Sequence, residues 1–319
     1  MESAFKNRLD AKQINSLTQH AFGQLPDGFY ENTIGEFSAL YMVKLENKEI
    51  VLKIAPKDNI RVLRYEKKAM QAEVAALKLL KAANHVPVPD VFFYDTTKTL
   101  CESEYFFMEK INGTNLNSLL PKMDAEEKSR FMNKIGQMNR QLNEIDGERF
   151  GYPAQSDNQT DNWKSAFWKI ISDILDDGKD AEIKLPIPYD EIENIIHSFI
   201  FACDDVKNPK LIHWDLWSGN VLVHNDKVTG IIDFERVLWA DPLMEYYFRK
   251  HAFNEDFFAG YGLDISSLDR NSKIRLALYD LYLALIWVIE YHYRNYNDLE
   301  GYSWRKEQLV QSIKFLNSF

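Results

Sequence analysis

The stretch Leu211-Ile212-His213-Trp214-Asp215-Leu216-Trp217-Ser218-Gly219-Asn220-Val221-Leu222-Val223 runs through His224-Asn225-Asp226-Lys227 into Val228-Thr229-Gly230-Ile231-Ile232-Asp233-Phe234. Two apolar segments flank a polar tetrapeptide, the pattern of a β-hairpin. With the turn centred between Asp226 and Lys227, Asn220 falls opposite Asp233, Val221 opposite Ile232 and Leu222 opposite Ile231. Directly opposed residues share a face of the sheet, with Cα atoms roughly 5 Å apart. This register sets an amide oxygen beside a carboxylate at the open end of the hairpin. Hard oxygen ligands of that kind suit Mg²⁺, which takes carboxylates together with substrate phosphates. The register decides the point, because a one-residue slip sends one of the pair to the other face. Asp215, five residues before Asn220 on the loop entering the hairpin, is a carboxylate placed to accept a proton from an attacking hydroxyl.

The elements that must hold these groups fall into two blocks. The first third reads mainly as strands: Phe29 to Ile34, Ala39 to Glu46 and Glu49 to Ile54, the last two separated by Asn47-Lys48 as in a tight hairpin. One helix follows, Leu63 to Ala82, with Met70, Val74, Leu77 and Ala69, Ala76, Leu80 at helical spacing. Val86-Pro87-Val88-Pro89 must end it, since proline cannot continue a helix. Val91 to Tyr94 and Tyr105 to Ile111 complete a five-stranded unit. After Asn112-Gly113 helices dominate: Ala125 to Ile145, Asn162 to Leu175, Asp190 to Ala202, Lys273 to Tyr293 and Arg305 to Leu316, interrupted by the strand-rich island Leu211 to Phe234. The expectation is a two-lobed α+β chain, with a strand lobe over residues 1–111 and a helical lobe over residues 112–319.

With 319 residues, 45% hydrophobic and 27% charged, the chain has the composition of a globular protein with a sizeable core. A net charge of −10 argues against a general nucleic-acid binder. That charge is uneven. Residues 1–111 hold 15 acidic and 15 basic side chains, whereas residues 112–319 hold 33 and 23, so the whole excess lies in the helical block. Cys101 and Cys203 read as two reduced thiols. The N-terminus has no apolar signal core, and the longest apolar run, Leu281 to Ile289, is too short to span a bilayer, so a cytoplasmic protein is expected. No zinc spacing, Gly-x-Ser-x-Gly elbow or Walker A loop occurs. Trp163, Phe167, Trp168 and Ile171, like Tyr282, Ile286, Ile289 and Tyr293, form helical stripes that read as core.

His213-Trp214-Asp215-Leu216-Trp217-Ser218-Gly219-Asn220 resembles the catalytic loop of aminoglycoside phosphotransferases and related small-molecule kinases. Asp233-Phe234-Glu235 resembles their metal-binding Asp motif, and Trp239-Ala240-Asp241-Pro242-Leu243 the Asp-Pro element that follows it. The likeness is dense over residues 211–245 and looser but collinear elsewhere. It implies a protein-kinase-like fold using ATP and Mg²⁺, with Asp215 as catalytic base and Asn220 and Asp233 as metal ligands. Lys53, in Ile50-Val51-Leu52-Lys53-Ile54, resembles the strand lysine that contacts the α- and β-phosphates. Its acidic partner would come from the following helix. Glu66 and Glu73 lie on one face there, and Glu73, set among Ala69, Ala76, Leu77 and Leu80, is preferred, because a glutamate on an apolar face needs a partner. Phe106 to Gly113 resembles the hinge, where backbone groups of Glu109 and Ile111 would bond adenine.

The chain also departs from the family. Ile34-Gly35-Glu36-Phe37-Ser38, where a phosphate-covering loop is expected, has a single glycine. Trp214 stands where the family often has glycine, and Glu235 replaces the glycine of Asp-Phe-Gly. No Ala-Pro-Glu segment follows, which disfavours a protein substrate. The resemblance therefore implies a small-molecule kinase that moves the γ-phosphate of ATP to a hydroxyl. Fructosamine, choline or sugar kinases and a catalytically inactive nucleotide-binding module stand as alternatives. No nucleic-acid or membrane partner is expected, and the protein reads as a monomer or homodimer. The acidic helical block suggests a cationic or polyhydroxylated acceptor, with Glu235 and Glu245 lining the cleft beside Asp215.

Overall fold

The computed structural model describes residues 5–33, 35 and 37–319. The N-terminal part contains α1 (Ala11–Phe22), β1 (Gly28–Asn32), β2 (Ala39–Leu45), β3 (Lys48–Ile54), α2 (Ala69–Ala83), β4 (Val91–Asp95) and β5 (Tyr105–Glu109). The five strands form one antiparallel sheet in the order β1-β2-β3-β5-β4. The remainder contains β6 (Thr114–Asn115), α3 (Leu116–Leu119), α4 (Ala125–Leu142), α5 (Trp163–Asp180), α6 (Tyr189–Phe199), β7 (Lys210–Ile212), β8 (Val221–His224), β9 (Lys227–Ile231), β10 (Leu238–Ala240), α7 (Glu255–Tyr261), α8 (Arg270–Tyr293) and α9 (Leu299–Leu316). The two-lobed α+β architecture expected from the sequence is the one observed.

Alternation along the strands sorts the sheet into two faces. Ile50, Leu52 and Ile54 of β3 and Tyr105 and Phe107 of β5 face one core, closed by Ile14 and Leu17 of α1. Val51, Phe106 and Met108 face the other, beneath α2, and Lys53 falls on this second side by the same period of two. That second core continues from Met70, Val74, Leu77 and Leu80 of α2 into the helical part, down to Trp163, Phe167, Ile171, Tyr282, Ile286 and Ile289. The two aromatic stripes are thus largely core, with Trp168 and Tyr293 at its margin. Cys101 and Cys203 are both buried, and no disulfide joins them.

Several expectations need correction. The strand block carries two helices, not one. Asp10 and Gln13 make a capping box that starts α1, the Asp10 carboxylate accepting from Gln13 N at 2.8 Å, and Gly23 ends it at φ 72°. The helix expected from Leu63 begins at Ala69, because Lys68 adopts a left-handed conformation, φ 60°. Residues 63–66 turn back on themselves instead, with Leu63 N donating to the Glu66 carboxylate at 2.9 Å. Helix α7 was not anticipated; it crosses α4 where Gly136 and Gly260 leave no room for a Cβ on either side. The strand expected to reach Ile111 ends at Glu109, and that expected over Phe29 to Ile34 spans Gly28–Asn32. Ile34 lies outside the described residues.

The hairpin register is also corrected. The turn residues are Asn225 and Asp226, both left-handed at φ 48° and 57°, so His224 pairs with Lys227 in a two-residue turn. Thr229 is then extra, and beyond this bulge Leu222 pairs with Gly230 and Val221 with Ile231. Asn220 consequently lies opposite Ile232, whose N–H donates to the Asn220 carbonyl at 3.0 Å, and not opposite Asp233. β9 stops at Ile231, and Asp233 turns out of the ladder at φ 69°.

Candidate active site

Lys53 is the centre of the site. Its ammonium lies 2.7 Å from Glu73, 2.8 Å from Asp233 and 3.3 Å from Glu235. Lys53 and Glu73 are almost fully buried, at 4% and 1% exposure, whereas the Asp233 side chain is 39% exposed. Glu66, the other candidate partner, instead bonds Arg294 at the end of α8. The pairing of Lys53 with Glu73 was expected from the resemblance of Lys53 to the family's strand lysine and from the apolar helix face that carries Glu73. Asp233 reaches them through its left-handed backbone, and not through the cross-strand pairing expected with Asn220.

Three carboxylates around one ammonium leave this buried cluster two negative charges in excess. Burial works against the charge on Lys53, but Asp233, Glu73 and Glu235 together hold its pKa well above the usual lysine range. Burial pushes Glu73 up to about 7; Lys53 opposes this, while Asp233 and Glu235 add to it. Burial and the neighbouring Asp233 likewise raise Glu235. Burial acts upward on Asp233 too, but there Lys53 prevails and the carboxyl is lowered. Oxygens of Glu73, Asp233 and Glu235 all lie within 4.8 Å of one another. Hard donors with surplus negative charge fit a divalent cation of the Mg²⁺ type. A cavity of about 570 Å³ reaches Glu73 and Glu235, with Phe37, Arg61 and Tyr293 also on its wall.

The loop carrying Asp215 is braced from three directions. The Asn220 side-chain nitrogen donates to the Asp215 carbonyl at 2.9 Å, which leaves the amide oxygen as the group Asn220 has to offer a cation. Trp217 N donates to the same carbonyl at 2.9 Å, and Asp215 N donates to His213 Nδ1 at 3.3 Å. His213 Nε2 lies 3.0 Å from the Ile232 carbonyl, and its ring packs on Phe234 at 4.4 Å, tying the Asp215 loop to the Asp233 turn. Among the described residues, no hydrogen bond or ion pair engages the Asp215 carboxylate.

Sequence reasoning missed what anchors this loop. Glu245 has no exposed surface and accepts four hydrogen bonds: from Asn139 Nδ2 at 2.8 Å, Asn143 Nδ2 at 3.1 Å, His213 N at 2.9 Å and Trp214 N at 2.9 Å. It was expected to line the cleft; it is a buried brace. Glu235, expected beside it, faces Lys53. Trp214 is left-handed at φ 66°, which explains why glycine suits this position in the family. Nothing local distinguishes Glu245 from a surface glutamate, because its partners come from α4 and from the loop after β7. Asp241, in the Asp-Pro element, is likewise structural: it bonds Arg275 at 2.8 Å and Tyr279 at 2.7 Å and so fixes α8.

At the hinge, Glu109 N donates to the Asp90 carbonyl at 2.8 Å, so only its carbonyl oxygen is left for a base. Ile111 packs on Gly230, where a Cβ would collide with it. Within the loop expected to cover phosphates, Gly35 has φ 92°, while Ile34 and Glu36 lie outside the described residues.

Comparison with known proteins gives the fold and the family. Among solved structures, an apo thermostable mutant of aminoglycoside phosphotransferase APH(4)-Ia superposes with a TM-score of 0.69 at 15% identity, covering 95% of this chain and 99% of that one. A protein assigned as a fructosamine-3-kinase from Haemophilus somnus gives 0.67 at 20%, covering 94% and 97%. The streptomycin–ATP–APH(2″)-IIa ternary complex gives 0.61 at 16%, covering 98% and 97%. At these identities the likeness is one of fold. Two subtelomeric hrmA-associated cluster proteins of Aspergillus fumigatus are 28% identical over 109 residues, and the match spans only 21% of their length and 34% of this chain. A family model described as the phosphotransferase enzyme family matches residues 34–266, more than two thirds of the sequence. The chain therefore belongs to the phosphotransferase enzyme family.

Proposed function

We propose that this enzyme uses ATP and Mg²⁺ to phosphorylate a hydroxyl of a small molecule, with the nucleotide between a strand lobe ending near Ile111 and a helical lobe beginning near Asn112. The observation that carries the reading is the position of Lys53, joined to Glu73 at 2.7 Å and Asp233 at 2.8 Å, on a turn that His213 ties to the Asp215 loop. Glu73 aims the ammonium, and Lys53 meets the charge of the α- and β-phosphates. The backbone of Glu109 and Ile111 receives the adenine. Asn220 and Asp233 would hold Mg²⁺, which when bound neutralises phosphate charge.

Asp215 accepts the proton of the acceptor hydroxyl as its oxygen attacks the γ-phosphorus; the P–O bond to ADP breaks in line, and ADP leaves with the electron pair. Asn220 and Trp217 fix the Asp215 backbone so that its carboxylate is delivered without rearrangement. The APH(2″)-IIa complex with ATP and streptomycin, which shares this fold, supports nucleotide use. An inactive nucleotide-binding module is the weaker reading, because Asp215, Asn220, Asp233 and Lys53 are all present and mutually braced. The test is acceptor-dependent ADP release across a panel of hydroxylated metabolites and antibiotics. Turnover that requires both an acceptor and Mg²⁺ is expected; absence of turnover across the panel, with ATP bound, would favour the inactive module.

A further inference from the structure

Arg249 is out of balance with its surroundings. It is 6% exposed, yet among the described residues it forms no ion pair, and its guanidinium makes one hydrogen bond, donated to the Trp214 carbonyl. Other equally buried arginines are paired: Arg275 with Asp241 at 2.8 Å, and Arg294 with Glu66 and Glu290. Burying a guanidinium without an ion partner is costly. The carboxylates of Asp215 and Glu245 act on Arg249 only from a distance.

A second guanidinium shares its platform. Arg249 lies over the Trp214 ring at 4.4 Å and over Tyr246 at 5.2 Å; Arg236 lies over the same indole at 5.1 Å and over Tyr65 at 5.3 Å. Among the described residues, the only carboxylate contact of Arg236 is a long one, 3.4 Å to Glu290, on an oxygen that Arg294 also bonds at 3.2 Å. Tyr65, 7% exposed, belongs to this cluster, and its hydroxyl has no hydrogen-bond partner among the described residues. Burial, together with repulsion from Arg236, draws the Arg249 pKa below the ordinary arginine value, with Asp215 acting in the opposite direction. Trp214, the shared platform, is the residue immediately before Asp215.

We propose that Arg236 and Arg249, stacked on Trp214, bind an oxyanion of the acceptor, a carboxylate or a phosphate group carried close to the hydroxyl that Asp215 deprotonates. The proposal rests on the phosphotransferase reading above and deepens it. The nucleotide's own phosphates are met by Lys53 from the strand side, whereas Arg236 and Arg249 come from the chain after Asp233 and join the site through Trp214. An anion held there lies at the catalytic base. The cationic or polyhydroxylated acceptor expected from the acidic charge of residues 112–319 is a different reading; the two carboxylates named for the cleft, Glu235 and Glu245, are engaged with Lys53 and with the loop backbone.

The test is binding of three probes, glycerol, glycerate and glycerol 3-phosphate, by calorimetry to the full chain loaded with AMP-PNP and Mg²⁺. AMP-PNP binding, measured first, checks the phosphotransferase reading by itself; if it fails, the probes are titrated without nucleotide and the same outcomes apply. The account expects glycerate or glycerol 3-phosphate to bind and glycerol not to bind. The preferred anion separates a carboxylate site from a phosphate site. Arg249→Gln should weaken that anion at least tenfold, and so should Arg236→Gln, whose side chain is 21% exposed and whose folding is checked by circular dichroism. Equal binding of glycerol and the anions, no anion binding, or anion affinity unchanged in a folded Arg236→Gln protein would overturn the proposal.

Discussion

The two sides of Asp215 are charged in opposite senses. Toward the sheet, Glu73, Asp233 and Glu235 surround Lys53, one ammonium against three carboxylates. Toward the helices, Arg236 and Arg249 share Trp214, with one long carboxylate contact between them among the described residues. By contrast, buried Arg275 is matched by Asp241, and buried Glu245 is saturated with donors. A core selected for stability alone would match these clusters as well, because unpaired buried charge destabilises. On the function and the anion site proposed above, a metal would answer the first imbalance and an acceptor oxyanion the second.

The largest effect that sharpens this contrast separates Asp215 from Asp233 of the Lys53 cluster. Asp215→Asn should lower kcat by about 10²-fold or more while leaving nucleotide affinity intact. Asp233→Asn should weaken Mg-ATP binding as well. Full turnover by Asp215→Asn on an identified acceptor would remove it as the base.

Glu245→Ala comes next, because it strands four buried donors at once. An unsatisfied buried donor costs about 1–3 kcal/mol, so the variant should lose roughly 3 kcal/mol or more in denaturant unfolding. Unchanged stability would mean that Glu245 does not brace the loop.

Glu235→Gln acts the other way. It removes one of the surplus carboxylates, so without metal the variant should melt higher, by roughly 2 °C. Saturating Mg²⁺ should narrow that difference, since the metal meets the same repulsion in the wild type. A lower melting temperature in metal-free buffer would show that the cluster is not overcharged.

The smallest effect concerns pH. Glu66, buried against Arg294, is pushed up to about 7 from an ordinary 4.5, chiefly by burial. Between those values the folded state holds a proton that the unfolded state has released. Its stabilising contribution is therefore complete below pH 4.5 and lost as pH rises through 7. Glu73 shifts in the same direction. The melting temperature should fall from pH 5 to 8, and Glu66→Gln should flatten part of that slope; an identical slope in the variant would contradict it.

The parts of this arrangement legible in the sequence are those set by a short period or carried by a family resemblance. Glu73 lies on the apolar face of α2, which the helix repeat gives, whereas Lys53, on the inner face of β3 with Val51, was singled out by its resemblance to the family's strand lysine. The hairpin resisted because its register depends on a left-handed Asn225-Asp226 turn and a bulge at Thr229, neither of which changes the hydrophobic alternation. Helix α1 was readable in principle from Asp10-x-x-Gln13, a capping box followed by few apolar residues. Glu245, Arg249 and Glu66 were not readable at all. Each has an ordinary local setting, and its role is set by partners a hundred or more residues away or on another loop.

The most direct test of the central claim is calorimetric titration of the wild-type chain with ATP, with and without Mg²⁺. A cluster short of cations around Lys53 predicts binding that is markedly tighter with Mg²⁺ and whose Mg²⁺ dependence disappears in Asp233→Asn. No ATP binding in either condition, or affinity indifferent to Mg²⁺, would contradict it.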